Sequence, residues 1–219
     1  MKHFRFSLCA RVLLLALCLG NAPARAADPP APMSQPVALQ RFLNEITTFV
    51  ADFEQIQFDD HGNEQARHEG TLALKRPGKF RWMYQTPYEQ LMVCDAQQIW
   101  NYEPDLDQAS VRSAGDILRD TPAALLAQTS ALNERFNLIE GAREGDARLF
   151  TLTPKSANAD FQQVELWLKD SGVPSKMRLR DPLGGHTQIT FSKVQRNVRI
   201  DDARFVFTPP QGTEIVTLD

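Results

Sequence analysis

Residues 72–87, LALKRPGKFRWMYQTP, decide the fold class, because two alternating runs of side chains meet there at a turn that contains Arg76-Pro77. In an extended strand, successive side chains point to opposite faces of the sheet. In the second run the large aromatic side chains therefore share one face and the other side chains share the opposite face: Phe80, Trp82 and Tyr84 against Lys79, Arg81 and Met83. This period of two on either side of a short turn predicts an antiparallel β-hairpin.

Short alternating segments recur along most of the chain, separated by turns of a few residues such as DDHGN at 59–63. Close, even spacing of this kind is typical of antiparallel hairpins, whereas strands that alternate with helices indicate a parallel sheet. Besides residues 72–87, the predicted strands cover 49–54, 89–95, 97–103, 109–111, 135–141, 148–154, 161–169, 175–181, 186–194 and a short one near Phe205–Phe207.

Two segments depart from this rhythm and are predicted to be helices. Apolar residues recur at spacings of three and four between Leu39 and Ile46, as in an amphipathic helix. Later, Thr121 is a good N-cap, Pro122 suits the first helical position, and 123–127 favour helix. Since a single sheet of about ten strands or more tends to curl, we predict a mainly β fold with helices (α+β). It is a curled, incomplete antiparallel β-barrel of about eleven strands, whose concave mouth is covered by helices.

The first residues are typical of a secretory signal peptide. A basic start precedes an apolar run at 12–20, and Ala24-Arg25-Ala26 matches the small-x-small cleavage pattern, so we expect 1–26 to be removed. Residues 27–36 are Pro-rich and lack periodicity, which predicts a flexible tether. A single domain is then expected over 37–219.

Removal of residues 1–26 takes away four basic residues and no acidic ones, and the formal charge changes from −3 to −7. A clearly acidic chain is a poor partner for nucleic acid. Two of the three cysteines leave with the signal peptide, so no internal disulfide can form. The remaining Cys94 lies in the apolar run QLMVC and is expected to pack as a small apolar side chain.

The chain after residue 26 contains no recognisable catalytic or metal-binding motif. His61, His68 and His186 lack the spacing of a zinc motif, and there is no cysteine cluster. No G-x-S-x-G, Ser-x-x-Lys set or phosphate-binding loop occurs. The acidic pairs at 59–60 and 201–202 lie next to turns, where they are expected to be solvated or to cap the backbone. We therefore expect neither catalysis nor a cofactor or metal.

What remains is apolar surface on the predicted strands and on the second helix. A curled sheet of this size has more concave face than two short helices fill, and a partly filled concavity is an apolar pocket. The residues that could build it are Phe80, Trp82, Tyr84, Trp100, Tyr102, Trp167, Leu125 and Leu126.

Five segments, in order along nearly the whole chain after residue 26, resemble the LolA family of periplasmic carriers of outer-membrane lipoproteins. They are FVADFEQ (49–55), GTLALKRPGKFRW (70–82), DAQQIWNYEPDLDQA (95–109), LTPK (152–155) and FSKVQRNVRIDDARFVFTPPQG (191–212). The chain departs from the family pattern at Ala96, where the family usually has Gly. It departs again at Ala123 and Ala124, where bulkier apolar residues often occur.

The resemblance implies a monomeric periplasmic shuttle. Such a carrier would take acylated lipoproteins from an inner-membrane lipoprotein-releasing ABC transporter complex and deliver them to an outer-membrane lipoprotein receptor. By the same resemblance, Arg76 matches an arginine that holds the helical lid shut through hydrogen bonds to helix backbone. The side chains expected to contact the acyl chains are Phe49, Phe53, Phe80, Trp82, Trp100, Leu125 and Leu126.

Three other functions are compatible with the same residues. One is a periplasmic lipid binder, or a lipoprotein sensor, with the same fold and a different ligand. The outer-membrane receptor shares the fold too, but it is itself a lipoprotein, and Leu8-Cys9 and Leu17-Cys18 do not form an acylation site. The others are a secreted hydrolase whose active site is scattered along the chain, and a structural or adhesive protein, which would self-associate.

Overall fold

The computed structural model describes residues 36–114, 122–127, 132–156, 159 and 161–218. The predicted signal peptide, the tether up to residue 35 and the predicted N-cap Thr121 lie outside the described residues. None of the helices in the described ranges is long and apolar enough to cross a membrane.

Twelve strands of the described chain form one sheet, which is one strand more than the expected eleven. Their spatial order is β12-β6-β5-β4-β3-β2-β1-β11-β10-β9-β8-β7, so β1 and β11 join two runs of consecutive hairpins. All neighbours are antiparallel except β12 and β6, which are parallel. The strands are β1 (Thr48–Phe58), β2 (Glu64–Lys75), β3 (Lys79–Thr86), β4 (Gln90–Asp95), β5 (Gln98–Glu103), β6 (Gln108–Ser113), β7 (Phe136–Glu144), β8 (Ala147–Pro154), β9 (Gln163–Lys169), β10 (Pro174–Arg180), β11 (His186–Arg196) and β12 (Glu214–Thr217).

Three helices are described: α1 (Val37–Asn44), α2 (Pro122–Ala127) and the single turn α3 (Leu132–Arg135). The buried stripe of α1 contains Leu39 and Phe42, as the helical spacing predicts, and Leu125 and Leu126 are buried on α2. Helix α1 contacts β9, whereas α2 contacts β2 and β3. The two helices therefore cover different parts of the same sheet.

We call the sheet face under α1 and α2 the inner face. Its apolar side chains and those of the helices form one buried cluster. Phe80 and Trp82 belong to this cluster and are almost fully buried. The predicted curled sheet with helices packed on its concave side is therefore confirmed.

The opposite, outer face of the sheet carries a smaller apolar cluster beneath the C-terminal segment, formed by Ala73, Ile200 and Phe205. The prediction of a short strand near Phe205–Phe207 is wrong, because residues Asp202–Phe205 form a short 3-10 helix. Asp201 caps this turn by accepting a hydrogen bond from the backbone N–H of Ala203 (3.0 Å). The last strand is instead β12, which pairs with β6 in parallel, a pairing that no local alternation predicts.

Candidate ligand-binding site

Four aromatic side chains on β1 and β3 form a continuous surface on the inner face, which we call the aromatic wall: Phe53, Phe80, Trp82 and Tyr84. The Phe53 ring contacts Trp82 with ring centres 4.5 Å apart and Tyr84 with centres 5.4 Å apart. Phe80 and Trp82 are 0% and 1% exposed, whereas Tyr84 is only partly buried. Exposure therefore rises along β3 away from the turn that contains Arg76.

A glycine allows the backbone of β2 to lie close to this wall. A Cβ at Gly70 would be 2.0 Å from the carbonyl oxygen of Met83 and 2.8 Å from Cζ of Phe53. Distances this short are far inside van der Waals contact, so any larger residue must displace β3 backbone. The aromatic ring of Phe53 occupies the space that a side chain at position 70 would need.

Arg76 lies in the β2–β3 turn and ties the two helices together. Its Nε and Nη2 donate to the carbonyl oxygen of Leu126 on α2, at 3.0 and 2.8 Å. Its Nη1 donates to the carbonyl oxygens of Phe42, Leu43 and Ile46, the last two at 3.3 and 3.2 Å. One guanidinium thus joins residues from the end of α1 to the last turn of α2.

The surroundings of Arg76 explain why a cation is stable there. The last carbonyl groups of a helix have no partner within the helix and carry the negative end of its dipole, so they favour a positive charge. The guanidinium also lies 4.4 Å from the centre of the Phe42 ring. Burial lowers the pKa of Arg76 to about 10, which leaves it charged at neutral pH.

The space around Arg76 is nearly filled. A small apolar pocket lies there, with no room for a water molecule. Ligand pockets commonly have volumes of about 300–1,000 Å³, so a long apolar ligand requires α1 and α2 to move. The pocket is lined by Phe42, Ile46, Phe49, Leu74, Arg76, Leu126 and Pro174.

A second cavity of about 250 Å³ lies on the inner face of β3 to β6, next to the last described residues. Its lining is mainly apolar, and Phe80 belongs to it. Among the described residues, the concave face is therefore not completely filled. The other lining residues are Gln90, Met92, Ile99, Asn101, Ser110, Arg112 and Leu218.

Three polar groups interrupt the apolar inner face at the outer end of the aromatic wall. The Tyr84 hydroxyl donates to Oε1 of Gln55 at 3.1 Å, and Gln55 is only 6% exposed. Burial raises the pKa of Tyr84 to about 12, and hydrogen bonding with the Gln55 and Trp82 side chains opposes part of that rise. The Trp82 indole N–H lies near the Tyr84 hydroxyl, but its geometry falls short of a full hydrogen bond.

The structure brings six of the seven predicted acyl-contact residues onto one surface. They are Phe49, Phe53, Phe80, Trp82, Leu125 and Leu126, all in the buried cluster of the inner face and helices. The sequence reasoning did not select Gln55, although its position in phase with Phe53 on β1 placed an amide on the apolar face. It also missed Phe42, whose carbonyl and ring both contact Arg76.

Trp100 is not part of this surface, so its predicted role is wrong. On β5 the inner-face residue is Ile99, which pairs with Cys94, while Trp100 pairs with Val93 on the outer face. There the Trp100 ring packs against Phe207 of the C-terminal segment, with ring centres 5.6 Å apart.

Two other aromatic candidates also lie on the outer face. Tyr102 packs against the same Phe207 ring at 5.3 Å. Lys176 Nζ lies 3.8 Å from the centre of the Trp167 ring. The outer face thus contains aromatic side chains that support the fold of the C-terminal segment or pack beneath charged side chains.

The one described group of residues with metal-ligand chemistry lies at the exposed tip of the β1–β2 hairpin: Asp59, Asp60 and His61. Asp59 accepts hydrogen bonds from the backbone N–H groups of His61 (3.0 Å) and Asn63 (2.8 Å). Hydrogen bonds from Asn63 are the main reason that the pKa of Asp59 is lowered. These groups build the turn, as the sequence predicts for the acidic pair.

Comparison with known proteins identifies relatives along most of the chain. The family model described as "Outer membrane lipoprotein carrier protein LolA" matches residues 44–208. An outer-membrane lipoprotein carrier protein of Nitrosomonas europaea is 35% identical over 205 residues, which are 94% of this chain and 96% of that protein. That of Azotobacter vinelandii is 37% identical over 208 residues, 94% and 97% of the two chains.

The fold is also similar to a solved structure. The crystal structure of an uncharacterized conserved protein from Thermus thermophilus matches with a TM-score of 0.53 and 14% identity. The match covers 83% of this chain and 95% of that one. At this identity the similarity supports the fold alone.

Proposed function

This chain belongs to the LolA family of outer membrane lipoprotein carrier proteins, and from that membership we propose that it carries acylated lipoproteins across the periplasm. It takes them from an inner-membrane ABC transporter complex and delivers them to an outer-membrane receptor. The observation that carries the proposal is an apolar inner face closed by two helices that one arginine ties together. The names of the relatives support a carrier.

Acyl chains need an apolar binding surface because their transfer into water is strongly unfavourable. Each buried CH₂ group is worth about 0.8 kcal/mol, so a sixteen-carbon chain gains on the order of 12 kcal/mol on leaving water. A lipoprotein with several chains therefore does not cross an aqueous space unaided at a useful rate. The aromatic wall and the Leu125–Leu126 pair supply apolar surface that can replace water around the chains.

A carrier must also release its cargo, and Arg76 supplies an opposing free energy. Because the helices close over the inner face, an acyl chain can bind only when the bonds from Arg76 to Phe42 and Leu126 break. The hydrogen bonds re-form when the cargo leaves, which stabilises the empty protein. Arg76 thus lowers the affinity for cargo to a level that permits transfer.

A photo-crosslinking experiment in cells tests the proposal. A benzophenone-bearing residue at position 126 lies on α2 next to the inner face, whereas the same residue at position 206 replaces Val206, which is 62% exposed on the C-terminal segment. We expect acylated lipoproteins to crosslink at 126 and not at 206. Crosslinks at 126 to phospholipid only, with no lipoprotein, would instead identify a general lipid binder.

Delivery is tested separately with purified components. Protein loaded by the inner-membrane transporter should donate lipoprotein to the outer-membrane receptor, and the empty protein should sediment as a monomer. Loading without delivery would contradict the proposed shuttle and favour a sensor of lipoproteins. Hydrolysis of the acyl esters during the assay would contradict the carrier itself.

A further inference from the structure

The second cavity of the inner face, which lies over β3 to β6, combines apolar walls with one positive charge. It has a volume of about 250 Å³, and its apolar lining is supplied by Phe80, Met92, Ile99 and Leu218. Arg112 is the one charged side chain among the described residues that line it. Mostly apolar walls with a few polar groups are the usual form of a ligand site, and the polar groups determine which ligand fits.

The charge of Arg112 is not balanced by a carboxylate of the described chain. Its side chain makes no hydrogen bond or ion pair with another described residue. The polar groups nearby are bonded to one another instead: Gln90 donates to Asn101 at 2.9 Å, and Asn101 donates to Glu103 at 3.0 Å. Glu103 itself does not line the cavity. The described lining therefore carries a net charge of about +1 within a chain whose formal charge is −3.

Phe80 and Arg112 lie at the two ends of one row of side chains across the sheet. Phe80 pairs with Cys94, Cys94 pairs with Ile99, and Ile99 pairs with Arg112, so all four point to the inner face. Three strand spacings separate the ends of the row, which is about 14 Å measured along the sheet. Phe80 is completely buried, whereas Arg112 is exposed. The row therefore extends from an apolar, water-free end to a charged end in contact with water.

An amphiphile with one alkyl chain and an anionic head group matches this row. The chain would cover Ile99 and Phe80 and remove their apolar surface from water, and the head group would lie beside the guanidinium of Arg112. A cationic head group would be repelled at the same place, and a neutral one would leave the charge of Arg112 unbalanced. The volume of about 250 Å³ is below the range of about 300–1,000 Å³ that is common for ligand pockets, which favours a single chain.

We propose that the second cavity binds a single-chain alkyl carboxylate, a fatty acid, and that Arg112 binds its carboxylate group. This ligand is distinct from an acylated lipoprotein, so the inference goes beyond the carrier function. Phe80 lines the cavity and also belongs to the aromatic wall. The fatty acid and an acyl chain of the cargo would therefore compete for the same ring. A partly exposed ion pair corresponds to about a 1.5- to 5-fold change in affinity.

The test compares three amphiphiles with the same alkyl chain: decanoate, 1-decanol and decyltrimethylammonium, each below the concentration at which it forms micelles. Their affinities for the purified protein are measured by titration calorimetry. Because the head groups lie at the exposed end of the cavity, they keep most of their water and differ mainly in charge. We expect decanoate to bind about 1.5- to 5-fold more tightly than decanol, and the cation to bind most weakly. High salt should reduce these differences by screening.

Two substitutions of Arg112 separate the effect of its charge from that of the apolar walls. Arg112→Gln should make decanoate and decanol bind equally and leave the affinity for decanol within about 1.5-fold of wild type. Arg112→Glu should reverse the order, so that decyltrimethylammonium binds most tightly. Arg199→Gln is the matched control, because Arg199 is exposed and does not line the cavity. It should leave the order of the three ligands unchanged.

Methionine methyl signals in an NMR spectrum locate the bound ligand. Met92 lines the cavity, Met177 is buried elsewhere on the inner face, and Met83 alternates with Trp82 and so points to the outer face. In protein labelled at the methionine methyl groups, Met92→Leu assigns the Met92 signal. Decanoate should shift this signal and leave that of Met83 in place. A shift of Met177 without a shift of Met92 would place the ligand outside the cavity and overturn the proposal.

The remaining outcomes distinguish this site from the carrier function. Affinities that do not depend on the charge of the head group overturn the anion site, and so does a preference for decanoate that survives Arg112→Gln. Failure of all three amphiphiles to bind overturns the cavity as a ligand site. Lipoprotein crosslinks at position 126 do not depend on Arg112, so their absence would contradict the carrier function and not this site.

Discussion

Replacement of Arg76 is the most direct test of how the helices are held. Arg76→Leu removes every hydrogen bond from the β2–β3 turn side chain to the carbonyl groups of Phe42, Leu43, Ile46 and Leu126. Arg76→Lys keeps the charge but loses the planar arrangement of donors that reaches both helices at once. We expect the closed arrangement of α1 and α2 to weaken in both variants, and more in Arg76→Leu.

The magnitude follows from two opposing terms. Hydrogen bonds from a charged donor contribute about 1.5–3 kcal/mol each, but Nη1 serves three of the carbonyls, so the bonds are not independent. Burial lowers the pKa of Arg76 from 12.5 to about 10, which corresponds to a cost on the order of 3 kcal/mol for keeping the charge. A net stabilisation of about 1–3 kcal/mol remains, equivalent to a 5- to 150-fold change in the opening equilibrium.

Hydrogen exchange measured by mass spectrometry reports this equilibrium for each helix. Amides of residues 37–44 should exchange about 5- to 150-fold faster in Arg76→Leu, with a smaller increase in Arg76→Lys. Arg196→Leu is the matched control, because Arg196 is exposed and donates to the carbonyl oxygen of Ser171 at 3.0 Å. A surface change of this kind alters stability by about 0.5 kcal/mol or less.

The rate at which cargo is released should fall in the variants in which α1 and α2 open more readily. Without Arg76 no hydrogen bonds re-form when the cargo leaves, so Arg76→Leu should accept lipoprotein and release it to the receptor more slowly than wild type. Normal release together with unchanged exchange in α1 would refute the role of Arg76. Faster exchange in every strand of the sheet would also refute it, since that result shows global destabilisation rather than a loosened helix pair.

Three further predictions concern the sheet around the site. Gly70→Ala should destabilise the fold by about 3 kcal/mol or more in urea unfolding, because the new Cβ would lie 2.0 Å from the Met83 carbonyl oxygen; an unchanged midpoint would contradict the close approach. Ala96→Gly should stabilise the fold by about 0.5–1 kcal/mol. Ala96 has a φ of 81°, and this left-handed conformation costs about 1–2 kcal/mol for alanine. Glycine avoids that cost, but the greater conformational entropy of its unfolded chain takes back about 0.4–1 kcal/mol. Burial raises the pKa of Cys94 from 9.0 to about 11. Between pH 9 and 11 the folded protein therefore keeps the thiol proton that the unfolded chain loses. The free energy of unfolding should fall by about 2–3 kcal/mol over this range. Cys94→Ala should lack that part of the decrease, and identical pH profiles of the two proteins would contradict the buried thiol.

Local alternation was sufficient to predict most of the strands, because each inner-face residue on β1 and β3 is followed two positions later by another. It could not predict β12, whose partner β6 is about one hundred residues away along the chain and parallel to it. Nor could it exclude a strand near Phe205–Phe207, where the large side chains are buried beneath or against the outer face without strand pairing.

The error at Trp100 has a specific physical cause. Alternation correctly separates Ile99 from Trp100 on β5, but it does not state which of the two faces the helices. That assignment depends on the register across β4, where Cys94 pairs with both Phe80 and Ile99. In most half-buried sheets the buried face can be recognised because only one face is apolar. Here the C-terminal segment covers the outer face with Phe207, so both faces carry apolar residues.

Gln55 and Trp100 differ in how much their side chains say about the face on which they lie. A large aromatic residue is compatible with either covered face, so it does not distinguish the two. An amide in phase with Phe49 and Phe53 is unfavourable on an apolar face unless something satisfies it. Tyr84 supplies that partner, because its hydroxyl donates to the amide oxygen of Gln55 at 3.1 Å. A polar residue that breaks an apolar alternation therefore predicts a specific buried hydrogen bond, whereas a large aromatic residue does not show which face it occupies.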